Sequence, residues 1–261
     1  MLVSVGRMSE FTLAVFIAAV FLVAGGIKGV LGLGLPTVGM GLLSIVMTPS
    51  QAAGILVIPA LVTNVWQVAL GPALLTLVRR FALMIVATVI GTFSTVEFLT
   101  RSSQSTAASA LGAVLAVYGI YGLAGRRLEI RPRSERWLSP LVGFVTGMLN
   151  GSTGVFVIPT APYLTSLRLD KEELVQIVGI NAFICPLALA TALMVQGQLR
   201  IEVAGSWMVA LVFSLAGMYV GQVVRQRFDE QVFRRSFFVG LLALGIYMCL
   251  RGLVGSNAQT S

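Results

Sequence analysis

The sequence predicts an all-α polytopic membrane protein built from two inverted five-segment repeats. Three observations predict it: a composition too apolar to face water, apolar runs of membrane-spanning length, and a glycine motif that recurs at a fixed offset. Of 261 residues, 57% are hydrophobic and 11% charged, with a mean hydropathy of +0.93. A soluble domain carries roughly 25% charged residues, so this chain cannot cover a water-facing surface. Residues 11–27, 52–78 and 203–224 hold no charge, and each run is long enough for one crossing. The runs continue to the end of the sequence, which excludes a signal peptide followed by a soluble domain.

Three spanning helices are expected in each half, near 52–71, 80–99 and 104–124, then near 172–195, 203–224 and 233–253. Before each trio lies a harder stretch, 11–47 and 138–167. The first contains Gly25, Gly26, Gly29, Gly32, Gly34 and Pro36. Helix breakers at that density predict a helical hairpin with an irregular turn. Counting each glycine-broken hairpin as two segments gives ten segments.

The halves match at an offset of 122 residues, where Gly25, Gly29 and Gly32 fall on Gly147, Gly151 and Gly154. Beyond the glycines, Leu42 falls on Leu164, Ile55 on Ile177, Ile58 on Ile180 and Ala60 on Ala182. The expected organisation is a first transmembrane repeat over 1–125, a basic cytoplasmic linker over 126–137 and a second repeat over 138–261. Ten segments place 13 Lys and Arg residues on one side and four on the other, whereas eight segments give 10 and 7. The positive-inside rule selects ten, with both termini outside. Five segments per half make the repeats inverted.

The +8 net charge is accounted for by these loop arginines, which lack the aromatic interleaving or basic helix face of a nucleic-acid site, so no nucleic-acid partner is expected. Cys185 and Cys249 lie in apolar runs far apart and read as small buried hydrophobes. There is no histidine, and the acidic residues fall in loops or at helix ends. No metal, cofactor or enzymatic activity is expected from such a set.

Irregular backbone survives at membrane depth only when buried in protein or lining a cavity. The turns 25–36 and 147–159 are therefore the first candidates for a substrate site, with Gly29, Gly32 and Gly34 in one and Gly151 and Gly154 in the other. A helix restarting after such a break aims its N–H groups at an anion, and Pro36 suits its first turn. Asn150, Ser152 and Thr153 add side-chain donors to the second turn. The alternative is that the glycines only let helices pack closely. Lys28, which pairs with Asn150 at the offset, has two readings: a substrate contact, or a side chain reaching to the membrane interface.

The third segment of each half is interrupted too, by Pro59 and Asn64 and by Asn181 and Pro186. Each asparagine either repairs a carbonyl freed by proline or faces a ligand. Gln51, Gln67 and Gln176 are weaker candidates, and Trp66 reads as packing. With no carboxylate at mid-depth, a small anion is the expected substrate.

The segments 25–36 and 147–159, each a G-x-x-x-G-x-x-G pattern ending near a proline, resemble those of the TauE/SafE family of bacterial sulfite exporters. The basic central loop and the length fit as well. The resemblance implies a multi-pass inner-membrane carrier of small sulfur-containing anions such as sulfite, thiosulfate or organosulfonates. Where many members continue the motif with more glycines, Leu33, Leu35, Val155 and Phe156 intervene here, which suits a partly apolar pocket and a carbon-bearing sulfonate. The two halves are expected to work by alternating access. An anion channel and a non-transporting membrane scaffold are the rival functions. The expected partners are the anionic substrate and the lipid bilayer, and the apolar flanks leave room for a homodimer.

Overall fold

A computed structural model of the chain describes residues 9–69, 73–125, 132–167, 169–198, 204–225 and 230–257. Among these the structure is all-helical, with eleven helices and no strand. They are α1 (Glu10–Leu31), α2 (Leu35–Leu43), α3 (Pro49–Ala69), α4 (Leu74–Arg80), α5 (Ala82–Arg101), α6 (Gln104–Ala124), α7 (Pro132–Thr153), α8 (Thr160–Ser166), α9 (Lys171–Val195), α10 (Ala204–Arg225) and α11 (Glu230–Asn257). Six are long and apolar enough to cross a membrane: α1, α5, α6, α9, α10 and α11. The expected span near 52–71 is α3, whose apolar part is the shorter stretch Pro49–Val65.

Local chemistry explains several helix ends. Ser9 and Ser103 cap α1 and α6 by accepting from the N–H groups of Thr12 and Thr106. Asp170 and Glu173 form a capping box at the start of α9. Pro36 sits in the first turn of α2, as expected.

The glycine-rich stretch is less broken than the sequence predicts. α1 runs through Gly25, Gly26 and Gly29 without interruption and ends only at Gly32 (φ 75°), with Gly34 (φ 115°) starting α2. Glycine in a helix interior costs about 1 kcal/mol, and close packing offsets that here. A Cβ on Gly25 would overlap the Ser214 carbonyl of α10, and one on Gly29 the Met218 carbonyl. From the other side, Gly217 and Gly221 face Leu22 and Gly26 of α1. The second arm of the first stretch, α2, has nine residues and by itself rises about 14 Å, about half of a ~30 Å hydrocarbon core. Its counterpart α8 has seven.

Element boundaries follow the sequence offset. Glu10 and Pro132, Leu31 and Thr153, Pro49 and Lys171, and Ala82 and Ala204 begin or end helices 122 positions apart.

The helices form two compact units, described separately. The first takes residues 1–59, 102–125 and 200–261, and the second takes 60–101 and 126–199, so the division passes through α3 at Pro59. In the first unit α1 pairs with α10, and α6 pairs with α11. The α6–α11 contact is set by Gly112 against Gly245 and Gly119 against Leu242, beside edge-on rings of Tyr118 and Phe238. Arg251 Nη1 donates to the Ile45 carbonyl just past α2, at 2.7 Å.

In the second unit α5 pairs with α7. Cβ atoms on Gly143, Gly147 and Gly151 would overlap the carbonyls of Met84, Thr88 and Thr92, and one on Gly91 that of Phe144. Leu77, Phe81, Met84, Tyr163, Leu164, Ile177 and Ile180 form its core between α4, α5, α8 and α9. Arg80 at the end of α4 donates to both carboxylate oxygens of Glu135 in the first turn of α7, from Nε at 2.7 Å and from Nη2 at 2.9 Å. Residues 126–131 of the basic linker lie outside the described residues, as do the side chains of Trp66 and Gln67.

Candidate functional site

In the second unit three asparagines converge on one turn of α9. Pro186 lacks an N–H, so the carbonyl four residues earlier, on Ala182, loses its partner in the helix. Asn64 supplies the replacement: its Nδ2 donates to Ala182 O at 2.7 Å and to Ala60 O at 2.7 Å. Of the two roles expected for an asparagine near a proline, carbonyl repair is the one this geometry displays. Asn181 accepts from the Cys185 thiol at 3.7 Å. Asn150, fully buried in the last turn of α7, donates to Cys185 O at 2.9 Å and to Thr92 Oγ1 at 3.1 Å.

Around Asn150 the end of α7 is stitched to itself and to α5. Ser152 Oγ donates to Met148 O, and Thr153 Oγ1 to Leu149 O, both at 2.7 Å. The expected hydroxyl donors of this turn are thus engaged by their own helix. Thr95 Oγ1 of α5 donates to Met148 O at 2.8 Å. Gly154 (φ 72°) then ends the helix, and its N–H donates to Asn150 O at 2.8 Å. Beyond the break, Phe156 packs on Ala182 and Cys185.

In the first unit Lys28 occupies the position equivalent to Asn150, in the last turn of α1. It is buried, 4% exposed, which is not the exposure of a side chain reaching to an interface. A cation there also offsets the partial negative charge of the helix C-terminus. Gly32 and Gly34 follow as the break itself, each with a left-handed φ that favours glycine.

The G-x-x-x-G-x-x-G motif therefore divides its labour identically in both halves. Its first two glycines (Gly25 and Gly29, Gly147 and Gly151) are flush against a partner helix, and its third (Gly32, Gly154) turns the chain. Close packing thus describes the first two glycines of each motif, and helix termination the third.

Thr92 is the residue that sequence reasoning passed over. It holds the Asn150 amide, and its own proton goes to Thr88 O at 2.9 Å. A signal exists in hindsight: Thr88, Gly91, Thr92 and Thr95 form a small and hydroxyl-bearing helix face of the kind that pairs with a glycine motif. Gln176, a weaker candidate, donates to Val68 O at the end of α3 and accepts from Ala73 N at the start of α4.

A family model described as "Sulfite exporter TauE/SafE" matches residues 17–248, a span from the middle of α1 to the last turns of α11. The chain belongs to the TauE/SafE family. No curated protein and no solved structure matches it. The TauE/SafE family is one of membrane transporters for sulfite and related anions, not of enzymes. With six helices able to cross a bilayer, this TauE/SafE protein is a multi-pass membrane protein. Among the described residues no group of histidine, cysteine and carboxylate side chains could hold a metal ion.

Proposed function

We propose that the protein is a secondary carrier of a small sulfur-containing anion (sulfite, thiosulfate or an organosulfonate) in the inner membrane, working by alternating access. The observation that carries this reading is Asn150: a fully buried amide at an interrupted helix, with polar capacity left unused, inside a chain of an anion-transporter family. Buried polar groups are normally satisfied, and at membrane depth an irregular turn persists only where it is buried in protein or lines a cavity. The turn 152–154 completes this site in the second unit, and Lys28 with Gly32 and Gly34 forms its counterpart in the first. Asn64 and Asn181 shape the α9 turn that Asn150 grips. The recurring helix boundaries support two inverted repeats as the frame, since a site built twice is how repeat-based carriers open to either side.

Thermal unfolding of the detergent-purified protein tests the reading, with sulfite, thiosulfate, taurine, sulfoacetate, sulfate and acetate as ligands. A ligand at 100 times its Kd stabilises the fold by about 2.7 kcal/mol. The expected result is a shift with at least one sulfur anion that Asn150→Ala or Lys28→Ala removes. No shift with any anion at high concentration would sink the proposal.

A further inference from the structure

Chemistry fixes which way the Asn150 amide faces. The Cys185 carbonyl can only accept, so the amide nitrogen must point to it. The Thr92 hydroxyl has one proton and gives it to Thr88 O, so toward Asn150 it too can only accept. Both amide N–H groups are therefore spent. Turning the amide over would set its oxygen against a carbonyl and a lone pair. Asn150 Oδ1 remains, buried and without a hydrogen-bond partner among the described residues. The two other such atoms, Thr37 Oγ1 and Ser44 Oγ, belong to hydroxyls, which rotate and can either donate or accept. Asn150 Oδ1 has neither freedom: it is a fixed acceptor, beside a turn whose neighbours Phe156, Ala182 and Cys185 are apolar.

We infer that Asn150 Oδ1 is a specificity contact that accepts a hydrogen bond from the substrate, so that the protein selects anions carrying their own N–H or O–H donor. This rests on the carrier reading above and narrows its substrate class. A fully deprotonated anion brings only lone pairs to this oxygen and is repelled. A hydrogen-bearing oxyanion, or a sulfonate with an ammonium or hydroxyl group, completes it. A site built to hydrogen-bond a substrate group rejects an analogue lacking that group, because its own polar atom is then left unpaired.

Matched ligands test this with the full chain in proteoliposomes, by competition in counterflow. Taurine, isethionate and ethanesulfonate share one sulfonate and differ in bearing an ammonium, a hydroxyl or no donor. Sulfite held in its hydrogen-bearing form is compared likewise with thiosulfate. In the native protein the donor-bearing member of at least one set should compete at least about tenfold better than its donor-free partner. Asn150→Leu should erase that difference. Thr92→Val, which releases one amide N–H, should narrow it without removing the side chain, and serves if the leucine variant does not fold. Donor-free anions competing as well as donor-bearing ones would overturn the inference while leaving the carrier intact, and would mean that Oδ1 is satisfied by a trapped water. If no anion in either set competes or is carried, the carrier reading falls as well.

Discussion

Asn64 and Pro186 lie 122 residues apart in sequence and meet across one missing hydrogen bond. The Ala182 carbonyl that Pro186 strands is taken by the Asn64 amide. Asn64→Leu leaves that carbonyl buried and unsatisfied, at a cost of about 1 kcal/mol or more. The second change Pro186→Ala restores the helical N–H, so it should recover most of the loss in the Asn64→Leu background. Thermal unfolding of the two single variants and the double reads the coupling directly. Additive losses would show that Asn64 acts elsewhere. Both residues were legible in the sequence as a proline–asparagine pair in each half. Which of the two expected roles Asn64 plays was not, because its acceptor lies 118 residues away.

Between helices, the glycines decide how closely backbones approach. Gly147→Val should separate α7 from α5 and destabilise the protein by about 1–3 kcal/mol, since its Cβ would overlap the Thr88 carbonyl. Gly240→Ala in α11 meets nothing within 4 Å and should raise stability by about 0.5–1 kcal/mol. A melting-temperature comparison of the two variants checks both signs. At the end of α4, the Arg80 guanidinium beside Glu135 titrates above its ordinary value, through the hydrogen bond and then the charge of that carboxylate. A raised arginine pKa means that its contribution is complete at neutral pH and is lost on the alkaline side, in strong alkali. Arg80 is 39% exposed at its side chain, so the pair contributes under about 1 kcal/mol. Arg80→Glu should lower the melting temperature, and adding Glu135→Arg should restore it in low salt. The density of glycines in 25–36 led to an expectation of a long irregular turn. Spacing alone does not distinguish a glycine that accommodates a neighbouring helix from one that ends its own.

For the whole molecule, arginine distribution predicts that the α5–α6 connection faces the opposite side of the membrane from the α4–α5 connection and the linker before α7. Single cysteines at Ser103 and Ser134, in a background of Cys185→Ala and Cys249→Ala, test this with an impermeant thiol reagent on intact cells. Labelling at Ser103 only is the expected outcome. Labelling at Ser134 only would invert the orientation, and labelling at both would break the ten-segment topology. Hydropathy, charge bias and the 122-residue offset, all local or periodic properties of the chain, determined by themselves that this is a helical membrane protein with a glycine motif that recurs, and where most helices begin. The tertiary structure alone decided that α1 packs on α10 and α7 on α5, pairing helices from different halves. It also decided that Asn150 spends both its N–H groups on Thr92 and Cys185. Apolar burial is nearly blind to partner identity, so composition reveals that a helix is buried. Which backbone fits against a glycine, and which carbonyl an amide finds, depends on atoms brought together from distant parts of the chain.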